Sequence, residues 1–246
     1  MFRRLLKKIL ARAGFEVKRR KQSDDAEVYR RRGATLTRFS SLRGITVLLD
    51  VGANEGQYAA GLRDVGFLPR IISFEPVAST FARLKQRTAG TPNWLPMEMA
   101  LGDTDGRSQI QVGGNPECSS LLPMKKLHVE AYPESAICGE ESIEVRRLDS
   151  LRGEILTPTD RVFLKLDVQG FELRALMGAL ETLPQVEMID VELSLVPLYD
   201  GQPLLIEVLQ FLEGRGFVPV SLENAFTDPR NGYALQIDAI FVRRAP

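Results

Sequence analysis

The sequence predicts an α/β fold, in which a doubly wound and mostly parallel sheet carries helices on both faces. Three observations indicate this class. From residue 45 onward, short apolar runs alternate with helical stretches, which is the pattern of repeated β-α-β units. Several of these runs are almost continuously apolar, as expected for parallel strands that are buried on both faces. A glycine-containing turn follows the first run, at the point where sheets of this class bind ligands.

The predicted elements follow in order from the residues of each segment. The first strand covers residues 45–51 (Ile-Thr-Val-Leu-Leu-Asp-Val) and ends at Gly52. Glycines and turn residues separate the later elements. Strands are predicted over residues 70–75, 94–101, 161–167, 186–193, 217–222 and 234–243, and helices over residues 57–65, 77–89, 171–183 and 204–214. A turn-rich connector at residues 228–232 joins the last two strands, which are predicted to form an antiparallel pair at the sheet edge.

Residues 104–150 do not follow this alternation. Glycines and prolines break the stretch, and short strands are predicted only near residues 108–112 and 142–146. We interpret it as an insertion over the carboxyl edge of the sheet, where it forms a candidate substrate lid; an inert elaboration is the alternative. The domain that carries it spans residues 44–246, and residues 1–43 form a basic amphipathic arm and linker.

Composition excludes several classes of protein. The 246 residues are 44% apolar, which is enough for one sizeable core. Two cysteines and one histidine exclude a four-cysteine zinc site and a disulfide framework, and no metal site is predicted. No apolar run reaches the ~20 residues of a membrane span, and no secretory signal is recognisable. We therefore expect a cytoplasmic protein with free thiols.

The net charge of zero conceals a basic N-terminal arm. Residues 1–43 carry 14 basic and 4 acidic side chains, whereas the remainder carries 18 and 28. An acidic body argues against a nucleic-acid partner. In residues 1–13, apolar side chains recur on one helical face and basic side chains fill the other, which is typical of a helix at an anionic membrane surface. We expect residues 1–21 to bind the inner face of the membrane peripherally; packing on the domain or on a partner is the alternative.

The turn at residues 50–56 (Asp-Val-Gly-Ala-Asn-Glu-Gly) carries the ligand chemistry. Its glycines permit positive φ and a close approach of backbone to ligand. Glu75 ends the second strand, where a carboxylate accepts the hydroxyls of a ribose, so the ligand is expected to contain adenosine. The dinucleotide fingerprint has glycine where this chain has Asn54 and Gln57. The acidic turn favours a cation, the sulfonium of S-adenosylmethionine, over the pyrophosphate of NAD.

The segment at residues 48–56 resembles the first motif of class I S-adenosylmethionine-dependent methyltransferases. Five further motifs, in this order and spacing, resemble those of the FkbM family of methyltransferases. They are Ile-Ser-Phe-Glu-Pro at 72–76, Ala-Leu-Gly-Asp at 100–103, Arg-Leu-Asp-Ser-Leu at 147–151, Lys-Leu-Asp-Val-Gln-Gly-Phe-Glu at 165–172 and Val-Glu-Leu-Ser-Leu-Val-Pro-Leu-Tyr at 191–199. The resemblance covers about residues 44–243. It departs at Gln169, where many members have glutamate.

This resemblance implies a seven-stranded Rossmann-like methyltransferase fold. It also implies that a methyl group passes from S-adenosyl-L-methionine to a hydroxyl of a sugar or natural product, with S-adenosyl-L-homocysteine as the product. Carried over by position, the backbone of the first turn would hold the methionine moiety, Glu75 would bind the ribose, and the 100–101 pair would lie beside the adenine. The implied cofactor residues are Asp50, Gly52, Ala53, Asn54, Gly56, Glu75, Pro76, Ala100 and Leu101.

Such a reaction needs a base, because a sugar hydroxyl is a weak nucleophile until its proton is removed, and three residues are candidates for the catalytic site. Asp167 at the carboxyl end of a strand is the first choice, with capping of the next helix as its alternative. His128 has an ordinary pKa that suits a base near neutrality, although a lone histidine in a loop is more often a surface residue. Glu192 ends the next strand at the same edge and is a candidate for substrate contact; its alternative is to cap a helix or order a loop. Tyr199, Asp200 and Phe226 are further candidates for an acceptor pocket.

The leading hypothesis is an O-methyltransferase that acts on a sugar hydroxyl of a glycan or glycosylated lipid near the membrane. A small soluble natural product is the alternative acceptor. A non-catalytic module that binds the cofactor or a partner through the same fold is the alternative from another class. An NAD-dependent oxidoreductase shares the fold, but the acidic turn disfavours it.

Overall fold

The computed structural model describes the backbone of residues 22–244 and the side chains of residues 32–244. Its helices are α1 (Gln22–Leu42), α2 (Gln57–Asp64), α3 (Ala78–Thr88), α4 (Lys126–Ala131), α5 (Leu148–Ile155), α6 (Glu172–Met177) and α7 (Leu205–Glu213). Its strands are β1 (Val47–Val51), β2 (Arg70–Phe74), β3 (Trp94–Met97), β4 (Ala100–Leu101), β5 (Gly106–Gly113), β6 (Ile137–Arg146), β7 (Val162–Leu166), β8 (Val186–Ser194), β9 (Phe217–Thr227) and β10 (Ala234–Arg243).

The main sheet has seven strands in the order β3-β2-β1-β7-β8-β10-β9. The first five are parallel, and β10 runs antiparallel to both β8 and β9. The predicted doubly wound, mostly parallel sheet with an antiparallel edge pair is therefore confirmed. The inserted region forms a second sheet in the order β4-β6-β5, in which β5 and β6 are antiparallel.

Two apolar layers cover the main sheet, because successive strand side chains point to opposite faces. On one face, Leu49 and Leu164 belong to a core that includes α5, α6 and α7. On the other face, Leu48 and Phe163 belong to a core that includes α1 and α2. Burial on both faces explains why these strands read as continuous apolar runs.

Helices α4 and α5 were not predicted, and β9 extends beyond the predicted residue 222. Two further predicted elements differ in the structure. The strand predicted over residues 94–101 is two strands, because the Met99 N–H donates to the Met97 carbonyl at 3.1 Å and the chain turns there from the main sheet into the small one. The helix predicted over residues 171–183 ends at Met177. Gly178 lies so close to the Gly102 carbonyl that a Cβ on it would stand 1.8 Å from that oxygen.

Helix α1 occupies the stretch interpreted from the sequence as part of the arm and linker. Leu36 is 1% exposed and packs in the second core, so this helix contacts the body of the domain. Gly33 lies within it and permits that approach, since a Cβ there would already be 3.3 Å from the Val65 side chain. The amphipathic helix expected in residues 1–13 lies outside the described residues. None of the helices that are described is long and apolar enough to cross a membrane.

A row of polar groups crosses the sheet on the α1 face, close to the carboxyl ends of β1, β2 and β7 and in the middle of β8. Ser73, Asp50, Lys165 and Asp190 are neighbours on adjacent strands. The Trp94 indole N–H donates to the Ser73 hydroxyl at 3.0 Å, and that hydroxyl donates to Asp50 Oδ2 at 3.1 Å. The Lys165 ammonium lies 3.4 Å from Asp50 Oδ1. Buried charges of both signs therefore alternate across the sheet.

Arg32 of α1 ends this row. Its Nη2 lies 2.5 Å from Asp190 Oδ1, and the Tyr58 hydroxyl donates to Asp190 Oδ2 at 2.6 Å. The side chains of Arg32 and Asp190 are 9% and 5% exposed, so the ion pair is buried. Removing one partner of such a pair leaves an uncompensated buried charge.

We therefore expect Arg32→Ala to lower the free energy of unfolding by about 3 kcal/mol, because Asp190 loses its cation. Arg38→Ala is the matched control, since Arg38 lies on the same helix and is exposed; its effect should stay within about 0.5 kcal/mol. Urea unfolding of the full chain measures both. Equal stability of the two variants would contradict the role given to Arg32.

Candidate active site

A cavity of about 1180 Å³ lies at the carboxyl edge of the main sheet. Residues that follow β1, β2 and β7 line it, together with residues 190–192 of β8. The inserted region contributes residues 115–121, His128 and Tyr132. Ala53, Asn54, Glu75, Pro76, Ala100 and Leu101 all line this cavity. The edge of the sheet thus brings together most of the residues singled out from the sequence.

The turn after β1 uses all its backbone N–H groups within the chain. Gly52 and Ala53 both donate to the Phe74 carbonyl, at 3.1 and 3.0 Å. Asn54 N donates to Glu75 Oε2 at 2.9 Å, Glu55 N to Asn54 Oδ1 at 2.7 Å, and Gly56 N to the Ala53 carbonyl at 2.8 Å. A phosphate needs free N–H groups at such a turn. The N–H groups of residues 52–56 are therefore not available to a pyrophosphate.

The glycines of the turn are explained by packing within the protein. Gly52 has φ 73°, and a Cβ on it would stand 1.8 Å from the Asp167 carbonyl oxygen. Gly56 has φ 81°, and its Cβ would stand 2.8 Å from the Leu84 side chain. The sequence prediction attributed these glycines to the close approach of a ligand. In the structure, Gly52 lies against the end of β7 and Gly56 lies against α3.

The acidic groups of the turn are both paired and do not line the cavity. Asp50 is fully buried, and Lys165 lies beside it. Glu55 Oε1 accepts from Arg83 Nε at 2.6 Å on the surface. The Lys165 ammonium also donates to the Gly52 carbonyl at 2.9 Å, so Asp50 orders the turn through Lys165. The expectation that these acidic side chains lie beside the ligand is therefore wrong, and the argument against a pyrophosphate rests instead on the occupied N–H groups of the turn.

Glu75 presents a buried carboxylate to the cavity. Its Oε1 accepts the Val77 N–H at 3.0 Å and its Oε2 the Asn54 N–H, which fixes the carboxylate between the first two turns. Each oxygen keeps a second lone pair for a ligand hydroxyl. Burial raises the pKa of Glu75 to about 7. The residue is therefore a positioned acceptor whose charge changes near neutral pH.

Asp167 and Glu192 come together at the ends of β7 and β8. Gln169 Nε2 donates to Asp167 Oδ1 and to Glu192 Oε2, at 2.9 Å each. Gln236 Nε2 also donates to Glu192 Oε2, at 2.6 Å, whereas Glu192 Oε1 receives no hydrogen bond from any described residue. Burial and the nearby charge of Asp167 raise the pKa of Glu192 well above its ordinary value. Glu192 thus binds a proton more tightly than an ordinary glutamate does, which favours it as a base.

His128 is 2% exposed and lies on α4, rather than in a surface loop. Its ring is edge-on to Tyr199 at 5.2 Å and tilted against Phe226 at 5.8 Å. Burial lowers the pKa of His128 to about 4, so the imidazole is neutral and weakly basic. Phe226 lines the cavity, whereas Tyr199 is buried behind it and Asp200 pairs with Lys125 at 2.9 Å on the surface.

Two functional residues were not recognised from the sequence, Lys165 and Gln169. A charged residue inside an otherwise apolar strand was the available signal for Lys165, since a buried charge is normally paired. Gln169 was noted only as a departure from the family pattern. Among the described residues, no group of three or more His, Cys, Asp or Glu side chains is arranged to hold a metal ion.

The sequence profile described as the methyltransferase FkbM domain matches residues 50–219. The 2-O-methyltransferase NoeI of Sinorhizobium fredii is 29% identical over 173 residues, which are 68% of this chain and 70% of that protein. The hexuronic acid methyltransferase AglP of Haloferax volcanii is 28% identical over 149 residues, 60% of this chain and 55% of that protein. The structure of TrmK from M. capricolum with S-adenosylhomocysteine is similar with a TM-score of 0.48 at 6% identity, over 87% of this chain and 67% of that one.

Proposed function

The chain belongs to the FkbM family of methyltransferases, since the family profile spans more than half of it, and we propose that it methylates a hydroxyl group of a sugar. Its methyl donor is S-adenosyl-L-methionine. The observation that carries the proposal is the pair of carboxylates, Asp167 and Glu192, which face the same cavity as the turn after β1. One relative is named as a 2-O-methyltransferase, which supports oxygen as the accepting atom. The other is named for hexuronic acid, which supports a sugar acceptor.

The residues of the cavity fit the methyl donor. We propose that the Glu75 carboxylate binds the ribose hydroxyls and that Ala100 and Leu101 lie against the adenine. The Asn54 carbonyl has no donor among the described residues, so it is open to the ammonium of the methionine moiety. When bound, the cofactor supplies an electrophilic methyl carbon whose leaving group is a neutral thioether, so the leaving side needs no acid.

We propose that Glu192 removes the proton of the accepting hydroxyl and that Asp167 orients this hydroxyl. The raised pKa of Glu192 and its open Oε1 support the first role. Asp167, whose side chain is 40% exposed, is the more accessible of the two and supports the second. This order reverses the ranking made from the sequence. His128 is too weakly basic for proton removal, and we place it in the wall of the acceptor side with Phe226.

An uncharged sugar fits this cavity better than a uronic acid. Among the described residues that line it, the only cations are Arg32 and Lys165. Both are already paired, with Asp190 and Asp50. The side where the acceptor would lie carries the carboxylates of Asp167 and Glu192, which repel a second carboxylate. The aromatic rings of Tyr132 and Phe226 offer apolar faces on that side.

We expect Glu75→Ala to weaken binding of S-adenosylhomocysteine by about 1–3 kcal/mol, because the ribose hydroxyls lose their acceptor. The carboxylate form is the acceptor, so the affinity of the unmodified chain should fall as the pH drops from 8 to 6 through the pKa of about 7, and the variant should lose this dependence. Calorimetric titration at both pH values measures it. Glu55→Ala, in the same turn but facing Arg83, should bind within about twofold of the unmodified chain.

Titration with NAD is the control for ligand class. Saturable binding of NAD would contradict a turn that offers no free N–H groups to a pyrophosphate. Unchanged affinity for S-adenosylhomocysteine in folded Glu75→Ala would contradict the ribose assignment.

Turnover of S-adenosyl-L-methionine with a panel of neutral glycosides and their matched uronides tests the activity. We expect product with at least one neutral glycoside and slower turnover of its uronide. Glu192→Gln should lower kcat by about 10²-fold or more, since it removes the base. Activity should also fall as the pH drops below the raised pKa of Glu192, because the protonated carboxyl cannot accept the proton.

Glu130→Gln serves as the control and should retain most of the activity, because the Glu130 carboxylate pairs with Lys126 on the surface and does not line the cavity. Retained turnover in Glu192→Gln, together with loss in Asp167→Asn, would exchange the two carboxylate roles. Turnover of no glycoside, in chain that binds the cofactor product, would contradict a sugar acceptor.

The basic N-terminal arm is our reason for proposing that the acceptor lies at a membrane. We propose that residues 1–21 bind anionic lipid, and we expect salt-sensitive binding of the full chain to vesicles that contain anionic lipid. Deletion of residues 1–21 should abolish this binding and leave the affinity for S-adenosylhomocysteine unchanged. Vesicle co-sedimentation measures the first and calorimetry the second. Full-length chain that does not bind the vesicles would favour a soluble acceptor.

A further inference from the structure

Gln169 lies at the centre of the hydrogen bonds that surround the two carboxylates. Its single amide nitrogen donates one hydrogen to Asp167 and the other to Glu192. Its amide oxygen lies 2.8 Å from the Tyr199 hydroxyl. The same hydroxyl lies 3.1 Å from the Cys118 carbonyl, so it donates to one of these two acceptors at a time. All the polar atoms of the Gln169 side chain are therefore engaged.

In this chain an amide satisfies both neighbouring carboxylates. Asp167 and Glu192 are acceptors when charged, so the group between them must donate to both at once. The NH₂ of glutamine carries two hydrogens on one nitrogen and does so without adding charge. A glutamate at this position would add a third carboxylate, and even when protonated it would carry one O–H for two acceptors. An aliphatic side chain would donate to neither.

The backbone of Gln169 is held in an unusual conformation that aims this amide. Its φ is 51°, in the left-handed region that residues other than glycine rarely occupy. The Ser120 hydroxyl, from the inserted region, donates to the Gln169 carbonyl at 2.7 Å. Next to it, the Val168 and Gly170 N–H groups donate to Glu172 Oε1 at 3.2 and 3.0 Å. Strained residues of this kind persist where the surroundings fix them, often at functional sites.

We propose that Gln169 is a positioning residue for the proposed methyl transfer: it holds the carboxylates of Asp167 and Glu192 at a fixed separation and joins them to the inserted region through Ser120 and Tyr199. The positioning itself does not depend on the proposed function, but its purpose, methyl transfer, does. Gln169 donates to the carboxylates, so the proton of the acceptor hydroxyl is left to the open Oε1 of Glu192.

The test is a titration of the Asp167 and Glu192 carboxyl carbons by ¹³C NMR, with Asp167→Asn and Glu192→Gln used for signal assignment. In Gln169→Leu, the charged form of Glu192 loses a donor, and we expect its pKa to rise by about 1 unit relative to the unmodified chain. Tyr199→Phe removes a hydroxyl that contacts the Gln169 amide oxygen and the Cys118 carbonyl but neither carboxylate, so it should shift the pKa of Glu192 by less than about 0.3 unit. A merely structural role of Gln169 would not produce this difference.

Gln185→Leu is the matched control. The Gln185 amide donates to the Thr157 carbonyl at 2.8 Å, and the residue precedes β8 at the opposite edge of the sheet. Its loss should leave both carboxyl titrations unchanged. If Gln169→Leu does not fold, Gln169→Glu retains the shape of the side chain, and near neutral pH we expect the site to bind about one more proton than in the unmodified chain.

Unchanged titrations of Asp167 and Glu192 in folded Gln169→Leu would overturn the assignment, whether or not the chain methylates sugars. In Gln169→Glu, a third carboxyl that titrates independently of the other two would also overturn it. If instead the shift is present but no sugar is methylated by the unmodified chain, the proposed function fails while Gln169 stands as the residue that organises the pair. Methyl transfer that falls in Gln169→Leu by at least tenfold in kcat, with unchanged affinity for S-adenosylhomocysteine, would support both.

Discussion

One buried ammonium group, that of Lys165, is the interaction on which the carboxyl edge of the sheet depends. It donates to the Gly52 carbonyl at 2.9 Å and lies 3.4 Å from Asp50 and 3.7 Å from Asp167. A charge of this kind is tolerated in a protein interior only when it is paired and hydrogen-bonded. Its partners must therefore stay on the adjacent strands at this register, with the turn after β1 held against β7. The shape of the turn after β1 is thus a consequence of charge compensation inside the sheet.

The same requirement makes helix α1 part of the domain. Asp190 continues the row from Lys165, and the second cation that it needs comes from Arg32, 158 residues away in the sequence. Asp238, which faces this group, has a pKa raised to about 6 by burial. At least one basic side chain of the N-terminal region, that of Arg32, thus neutralises a carboxylate of the acidic body. Helix α1 is therefore held to the sheet by a buried ion pair, and breaking this pair costs free energy.

The local residue pattern was sufficient to predict the sheet, because strands that are buried on both faces are continuous apolar runs in the sequence. It was insufficient for features that depend on distant contacts. The helix that runs through Gly33 depends on packing against Val65, and the end of α6 depends on the Gly102 carbonyl. In the site, the cavity residues were predictable from their place at strand ends, whereas the pKa of His128 was not. Its ordinary value suggested a base, and burial against two aromatic rings reverses that expectation.

Two neighbouring carboxylates repel each other. The repulsion is relieved when a cation lies between them, when they share a proton, or when neutral groups donate hydrogen bonds to both. In this chain the amides of Gln169 and Gln236 donate to Glu192, whereas Asp167 accepts from Gln169 and also lies 3.7 Å from the Lys165 ammonium. A neutral donor orients a carboxylate with less effect on its affinity for a proton than a cation has, since it adds no full charge. The raised pKa of Glu192 is therefore compatible with ordered geometry. That combination is what a base for an alcohol requires, because proton removal needs both an aligned oxygen and a carboxylate that binds the proton well.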